Sequence, residues 1–296
     1  LTVLIPMPIK FLHRLVISIR YEVILGRRYF DTILRPRARL SSRVTTQFMQ
    51  IMDADPKPRI RANAQIATST RRASTLLLIW WKFRLSLHSS HGILCSASIL
   101  SRTWAITALH CLISVPSQYY VRAGSNHMDR GGSVHRVTNI RIYNDTYRSW
   151  ILGLFYHDIA LFEVKPPFHF SKTVRPIHLP RSNHELPFEL LVCGWGYIND
   201  KKKESAKTLM GVYVQHVSYE TCINISSLYT TFIEDDYHLC YGTQGKDACF
   251  GDSGGALANK RTIYGIVSFG HGCGKVAGVY VKVFHYREWI KSVTNL

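Results

Sequence analysis

From residue 76 onward the chain alternates short apolar runs with turn signals. Runs rich in Val, Ile, Leu, Tyr and Thr occupy 83–87, 104–108, 119–123, 158–164, 190–193, 207–217, 262–269 and 279–283. Gly, Ser, Asn and Pro separate them. Many short strands at this spacing predict an all-β sandwich or barrel. The last stretch, VFHYREWIKSVTNL, changes period. It places Tyr286, Trp289, Ile290 and Val293 on one face of a helix, so a single amphipathic helix should close the β-protein. No repeat of fixed period runs through the chain.

Residues 1–72 read differently. They hold no sustained period of 2 or 3.6, and they contain PRARLSSR and DADPKPRIRANA, which have linker texture. Charge follows the same division. The whole chain of 296 residues is +18, and residues 1–72 contribute +10 of it, from 14 Lys and Arg against 4 Asp and Glu. This asymmetry predicts an irregular basic extension (1–72) before an ordinary folded domain (73–296). The extension either contacts polyanions or has no partner; a specific nucleic-acid role is not expected. Hydrophobic content of 46% places the folded part among globular proteins rather than disordered ones. No run reaches the roughly 18 apolar residues that a membrane-spanning helix needs.

All seven cysteines lie after residue 94, and none forms a CxxC pair. Zinc-ribbon and redox motifs are therefore disfavoured, while wide spacing suits disulfides and an oxidising compartment. Two Asn-X-Ser/Thr triplets, at Asn144 and Asn224, agree weakly with secretion. The start of the chain carries an apolar run of nine residues, but no basic start and no small-residue cleavage site, so a signal peptide is not evident.

The chemistry begins with DACFGDSGGAL at 247–257. A serine hydroxyl is a poor nucleophile unless a base removes its proton and a third group orients that base. Ser253 lies between glycines, whose freedom suits a close approach of a substrate carbonyl to backbone N–H groups. Alone, such a stretch is as a rule only a turn. His110 ends the apolar run ITALHC, where a satisfied core histidine is the ordinary reading and a zinc ligand a weaker one. Asp158 begins HDIALFEV; an aspartate there is disfavoured unless it has a partner, although a strand-entry Asp is common.

Taken in order, WAITALHC, HDIALFEV and DACFGDSGGAL resemble the trypsin-like serine endopeptidases. LLVCGWG, GIVSFG and GVYVKV support the likeness, which runs from about residue 83 to the C-terminus. The resemblance implies two six-stranded antiparallel β-barrels with the active site between them. It implies Ser253 as nucleophile, His110 as general base and acid, and Asp158 as the buried residue that orients His110. The Gly251 and Ser253 amides would form the oxyanion hole, and Ser268 would support Asp158 and line the cleft. Asp247 would stand at the base of the specificity pocket, with Gly270 and Gly278 as its walls, so that cleavage after Arg or Lys is expected. Asp247 alone would read as a solvated loop acid after Lys246. The resemblance further implies the pairs Cys95–Cys111, Cys222–Cys240 and Cys249–Cys273, leaving Cys193 over, read as a free, buried thiol in preference to an intermolecular bridge. It implies secretion, protein or peptide substrates, contact with protein inhibitors, and neither cofactor nor metal.

One family element is missing. The family's activating cleavage frees a new terminus, commonly Ile-Val-Gly-Gly, whose ammonium pairs with the aspartate before the serine, here Asp252. The corresponding stretch, near residues 70–73, reads Thr70-Arg71-Arg72-Ala73, and no such glycine pair follows. Three accounts compete: residues 1–72 are not the true protein, activation uses an unfamiliar terminus, or the protein is an inactive homologue that binds partners. Intact Ser253, His110, Asp158 and Asp247 weigh against the third.

Overall fold

In the computed structural model, residues 81–89, 92–112, 115–143, 157–181, 186–199 and 203–296 are described. The readings made for residues 1–72 and Asn144 lie outside them.

The described strands form two closed antiparallel barrels of six strands each. The first contains β1 (Arg84–Ser89), β2 (Gly92–Ile99), β3 (Trp104–Thr107), β4 (Tyr119–Ala123), β5 (Ser133–Ile142) and β6 (Ala160–Lys165), in the order β1-β2-β3-β6-β5-β4. β7 (Glu189–Gly194) starts the second. A small ribbon of β8 (Tyr197–Asn199) and β9 (Glu204–Ser205) follows, outside both barrels. β10 (Met210–Val217), β11 (His238–Gly242), β12 (Ala256–Ala258), β13 (Ile263–Phe269) and β14 (Gly278–Lys282) complete the second barrel, in the order β10-β11-β14-β13-β12-β7. Closure leaves neither barrel an unpaired edge.

Alternation explains the strands that one barrel buries on one face only. In β4, Tyr119, Val121 and Ala123 are buried while Tyr120 and Arg122 are half-buried. β1 departs from this rule. Leu85 and Leu87 point into the first barrel, yet Arg84, Ser86 and His88 on the opposite face are buried as well. Arg84 reaches carbonyls of Cys193 and Ala256 in the second barrel, so it is covered at the junction between barrels, whereas Ser86 donates to Met128 O and His88 stacks on Tyr120. One apolar cluster crosses that junction, joining Leu85, Ile106 and Phe162 to Ile263, Val281 and Tyr286.

Helices are few among the described residues. α1 (Tyr219–Ile223) and α2 (Ser227–Phe232) each begin on a serine, Ser218 and Ser226, whose hydroxyl accepts a backbone N–H of the first turn. α3 (Arg287–Thr294) closes the chain. Tyr286 and Ile290 are buried, with Trp289 and Val293 packed beside them, as the helical period predicts. No helix among the described residues is long and apolar enough to cross a membrane.

Candidate active site

His110 sits on a single 3-10 turn, Leu109–Cys111, immediately after β3. The Cys95–Cys111 disulfide fastens that turn to β2. Asp158 lies in the bend before β6, where Ile159 N–H donates to His157 O at 2.7 Å. The expected strand over 158–164 therefore starts two residues later, and the bend turns Asp158 inward. Its side chain is 2% exposed, against 15% for His110.

A buried carboxylate must find donors or become neutral. Asp158 finds three. Oδ1 accepts the His110 backbone N–H at 2.9 Å, and Oδ2 accepts His110 Nδ1–H at 2.8 Å. Ser268 Oγ donates to the same Oδ2 at 2.6 Å. Ser268 is aimed there by a β-bulge: the β13–β14 register shifts between Val267 and Phe269, leaving Ser268 unpaired between them. Burial alone would raise the Asp158 pKa, but the charge of His110 and these hydrogen bonds hold it below its ordinary 3.8. Burial would lower the His110 pKa, yet the charge and hydrogen bond of Asp158 outweigh it, leaving the imidazole above 6.5. A carboxylate only accepts, so Nδ1 carries the proton and the neutral ring presents a lone pair at Nε2.

Ser253 comes from the second barrel and is anchored to both. Its carbonyl accepts Ser96 N–H of β2 at 2.8 Å, while the next N–H, of Gly254, donates to Val267 O of β13 at 2.9 Å. Gly254 has φ +75°, and a Cβ there would lie 2.0 Å from Thr107 Oγ1 and 2.4 Å from Ser96 O. The serine turn is thus pressed against the strand ends that lead to His110. Among the described residues His110 bonds only Asp158, and no hydrogen bond joins it to the Ser253 hydroxyl. Such a contact often tightens only when substrate is bound. Gly254→Ala combines a strained φ with two clashes, one of them against backbone. It should cost about 2 kcal/mol or more, read as a lower thermal midpoint.

The Gly251 and Ser253 amides donate to no acceptor among the described residues. Gly251 holds φ +97°, and a Cβ on it would lie 3.1 Å from Gly196 Cα. The turn is fixed by Asp252. Its N–H donates to Cys249 O, its carbonyl accepts Gly255 N–H, and its carboxylate accepts Gly196 N–H at 2.8 Å and Cys249 N–H at 2.9 Å. The carboxylate also explains two glycines in CGWG, because a Cβ on Gly194 or Gly196 would fall 2.0 or 2.5 Å from its oxygens.

Asp247 is half-buried rather than a solvated loop acid. Ala248 N–H donates to Oδ1 at 2.8 Å and Gly274 N–H to Oδ2 at 3.3 Å. A Cβ on Gly278 would lie 2.8 Å from Oδ1, whereas one on Gly270 would meet nothing closer than 3.7 Å. Gly270 thus leaves room for a side chain, whereas Gly278 leaves none against Asp247 Oδ1. Burial raises the Asp247 pKa to about 7 against the pull of its two backbone donors. The Tyr280 hydroxyl, buried beside Gly278, has no hydrogen-bond partner among the described residues. The Cys249–Cys273 disulfide ties the serine loop to the segment that follows Gly270. Cys222 pairs with Cys240, and Cys193 is a buried free thiol. Cys95, His110 and Cys111 cluster closely enough to suggest a metal site, but the disulfide between the cysteines removes two of the three ligands.

The structure brings His110, Asp158 and Ser268 into contact and places Asp252 against residues 194–196; the motifs give no sign of Thr107, Ser96, Tyr280 or Arg84 beside them. The glycines of CGWG are the one visible sign of the Asp252 contacts.

The family model described as Trypsin matches residues 78–290. Trypsin alpha of Drosophila melanogaster is 32% identical over 226 residues, covering 75% of this chain and 86% of that protein. Trypsin 5G1 of Aedes aegypti is 34% identical over 227 residues, covering 72% and 80%. Testisin of Homo sapiens is 36% identical over 233 residues, covering 72% and 73%. With two six-stranded barrels and the matched segment spanning both, the chain belongs to the trypsin family and is a serine protease of the chymotrypsin fold.

Proposed function

We propose that the protein is a secreted endopeptidase that cleaves after Arg or Lys through an acyl-enzyme intermediate. The observation that carries this reading is the chain of contacts from Ser268 Oγ to Asp158 Oδ2 to His110 Nδ1, which leaves Nε2 as the basic atom. As substrate binds, Nε2 takes the Ser253 hydroxyl proton while Oγ attacks the scissile carbonyl carbon. The carbonyl oxygen becomes negative and is met by the Gly251 and Ser253 amides, which have no competing acceptor among the described residues. Collapse breaks the C–N bond, and His110 returns the proton to the leaving amine. A water then loses its proton to His110 and attacks the Ser253 ester, releasing the acid and restoring the hydroxyl. Asp158 stays ionised throughout and holds the ring in one tautomer.

Selectivity rests on Asp247. A half-buried carboxylate at the base of a slot walled by Gly270 and Gly278 is matched by a long cationic side chain. In this reading Asp252 orders the loop that carries the oxyanion amides, residues 73–296 form the protease domain, and residues 1–72 remain a separate basic extension. Proteins and peptides are the substrates, and protein inhibitors would enter the same cleft.

Only neutral His110 can accept a proton. Hydrolysis should therefore rise with pH through an apparent pKa above 6.5, not below it. Stability has the complementary dependence. The lowered Asp158 contributes fully above about 3.8 and loses its contribution as pH falls through its folded value; the raised His110 contributes fully below 6.5 and loses it as pH rises. A pH–rate profile of kcat/KM on an uncharged peptide ester, whose binding does not depend on the ionisation of Asp247, tests the first statement. A rising limb centred well below 6.5 would contradict it.

A further inference from the structure

Arg84 opens β1 and is 3% exposed, so its charge is held away from water. A buried guanidinium is costly unless acceptors and an opposite charge compensate it. Nη1 donates to Cys193 O at 2.8 Å and Nη2 to Ala256 O at 3.2 Å, while Nε has no acceptor among the described residues. Neither carbonyl carries a formal charge. The Cys193 thiol does not supply one either, because burial raises its pKa and keeps it protonated.

The opposite charge lies across the same stretch of backbone. Arg84 holds residues 193–196 through the Cys193 carbonyl, and Asp252 holds them through Gly196 N–H and close packing on Gly194. Burial disfavours the charged form of each, raising Asp252 and lowering Arg84. The field of each favours the charge on the other. Asp252 in turn fixes the turn from Cys249 to Gly255 and, within it, the left-handed Gly251. Taking the catalytic reading above as its basis, we propose that Arg84 is the built-in counter-charge of Asp252 and keeps the oxyanion turn ordered in the uncut chain. Arg84 is a positioning residue here: it acts through residues 193–196 and Asp252 and never touches substrate. The missing glycine-bearing terminus near residues 70–73 then leaves Asp252 with a compensating charge already inside the fold.

The test uses the full chain, shown uncut by intact mass, with the variants Arg84→Gln, Arg84→Lys, Asp252→Asn and the Arg84→Gln/Asp252→Asn double. Thermal midpoints and the rate of fluorophosphonate labelling at Ser253 are measured. The proposal expects Arg84→Gln to lower the midpoint at least twice as far in the wild type as in the Asp252→Asn background. Folding of Arg84→Gln only in combination with Asp252→Asn is the same result in stronger form. Labelling of the uncut chain should slow at least tenfold in Arg84→Gln and recover in Arg84→Lys. Equal loss of midpoint in both backgrounds, or failure to fold in both, would reduce Arg84 to packing and overturn the proposal. So would wild-type labelling in Arg84→Gln, or labelling of the wild type only after cleavage near residue 72. Should neither cut nor uncut chain label, the catalytic reading fails and the midpoint comparison alone decides the role of Arg84.

Discussion

Ser253→Ala should lower kcat/KM for peptide hydrolysis by about 10⁴-fold or more, the loss characteristic of such triads. That is about 5.5 kcal/mol of transition-state stabilisation. The fold should survive the change, because the turn is held by its backbone, through Ser253 O to the first barrel and Gly254 N–H to the second, and no bond among the described residues is made by the hydroxyl. The thermal midpoint should therefore stay close to that of the wild type. Asp158→Asn should cost a similar factor for a different reason. An amide in place of the carboxylate can donate to the ring, which moves the proton to Nε2 and removes the base. That variant should also lose stability, since Oδ1 and Oδ2 accept three hydrogen bonds in a buried site. A Ser253→Ala protein as active as the wild type would remove Ser253 from the mechanism, whatever the contacts of His110.

The second large effect concerns Asp247. Asp247→Ser should cut kcat/KM for Arg- and Lys-terminated peptides by roughly 10²–10⁴-fold, on the order of the 2–5 kcal/mol lost when one partner of a buried charge pair is removed. Peptides ending in an aromatic residue should lose little or gain, so the preference reverses. The ionisation of Asp247 supplies an independent check. Its pKa of about 7 comes from burial, and a cation in the pocket favours the ionised form. Benzamidine, a small amidinium ligand, should bind the wild type progressively more weakly below pH 7, approaching tenfold per pH unit, and should show no such dependence in Asp247→Ser. A wild type that prefers aromatic over Arg and Lys peptides would reject Asp247 as the selectivity group.

Much of the site was legible because its chemistry is written in local motifs. DACFGDSGGAL, HDIALFEV and WAITALHC each carry their reactive residue, and the disulfide pairs follow from resemblance to the family. The supports were hidden because they depend on pairing between distant strands. GIVSFG marks Ser268 through the family resemblance, but nothing local marks the bulge in β13 that aims it at Asp158. Arg84 is hidden more deeply. In RLSLHS the period of two assigns Arg84, Ser86 and His88 to solvent, and a barrel standing alone would leave Arg84 there. The second barrel covers Arg84 instead, while Ser86 donates to Met128 O and His88 stacks on Tyr120, so a charge that reads as surface becomes part of the interior. The strand expected at 158–164 starts at Ala160, because the Asp158 carboxylate is turned inward to His110 and Ser268.

Asp252 links the two scales. The family resemblance implies a freshly cut terminus as its partner, and residues 70–73 do not resemble one. Among the described residues its carboxylate is met by two amides and, across residues 193–196, by the field of Arg84.

The central claim is that Ser253 is an activated nucleophile. A fluorophosphonate probe, applied at neutral pH to the chain both uncut and cut near residue 72, followed by peptide mapping, tests it most directly. The account predicts a single phosphonylated residue, Ser253, with labelling abolished in His110→Ala. Absence of label from Ser253 in both forms, or equal labelling in His110→Ala, would contradict it.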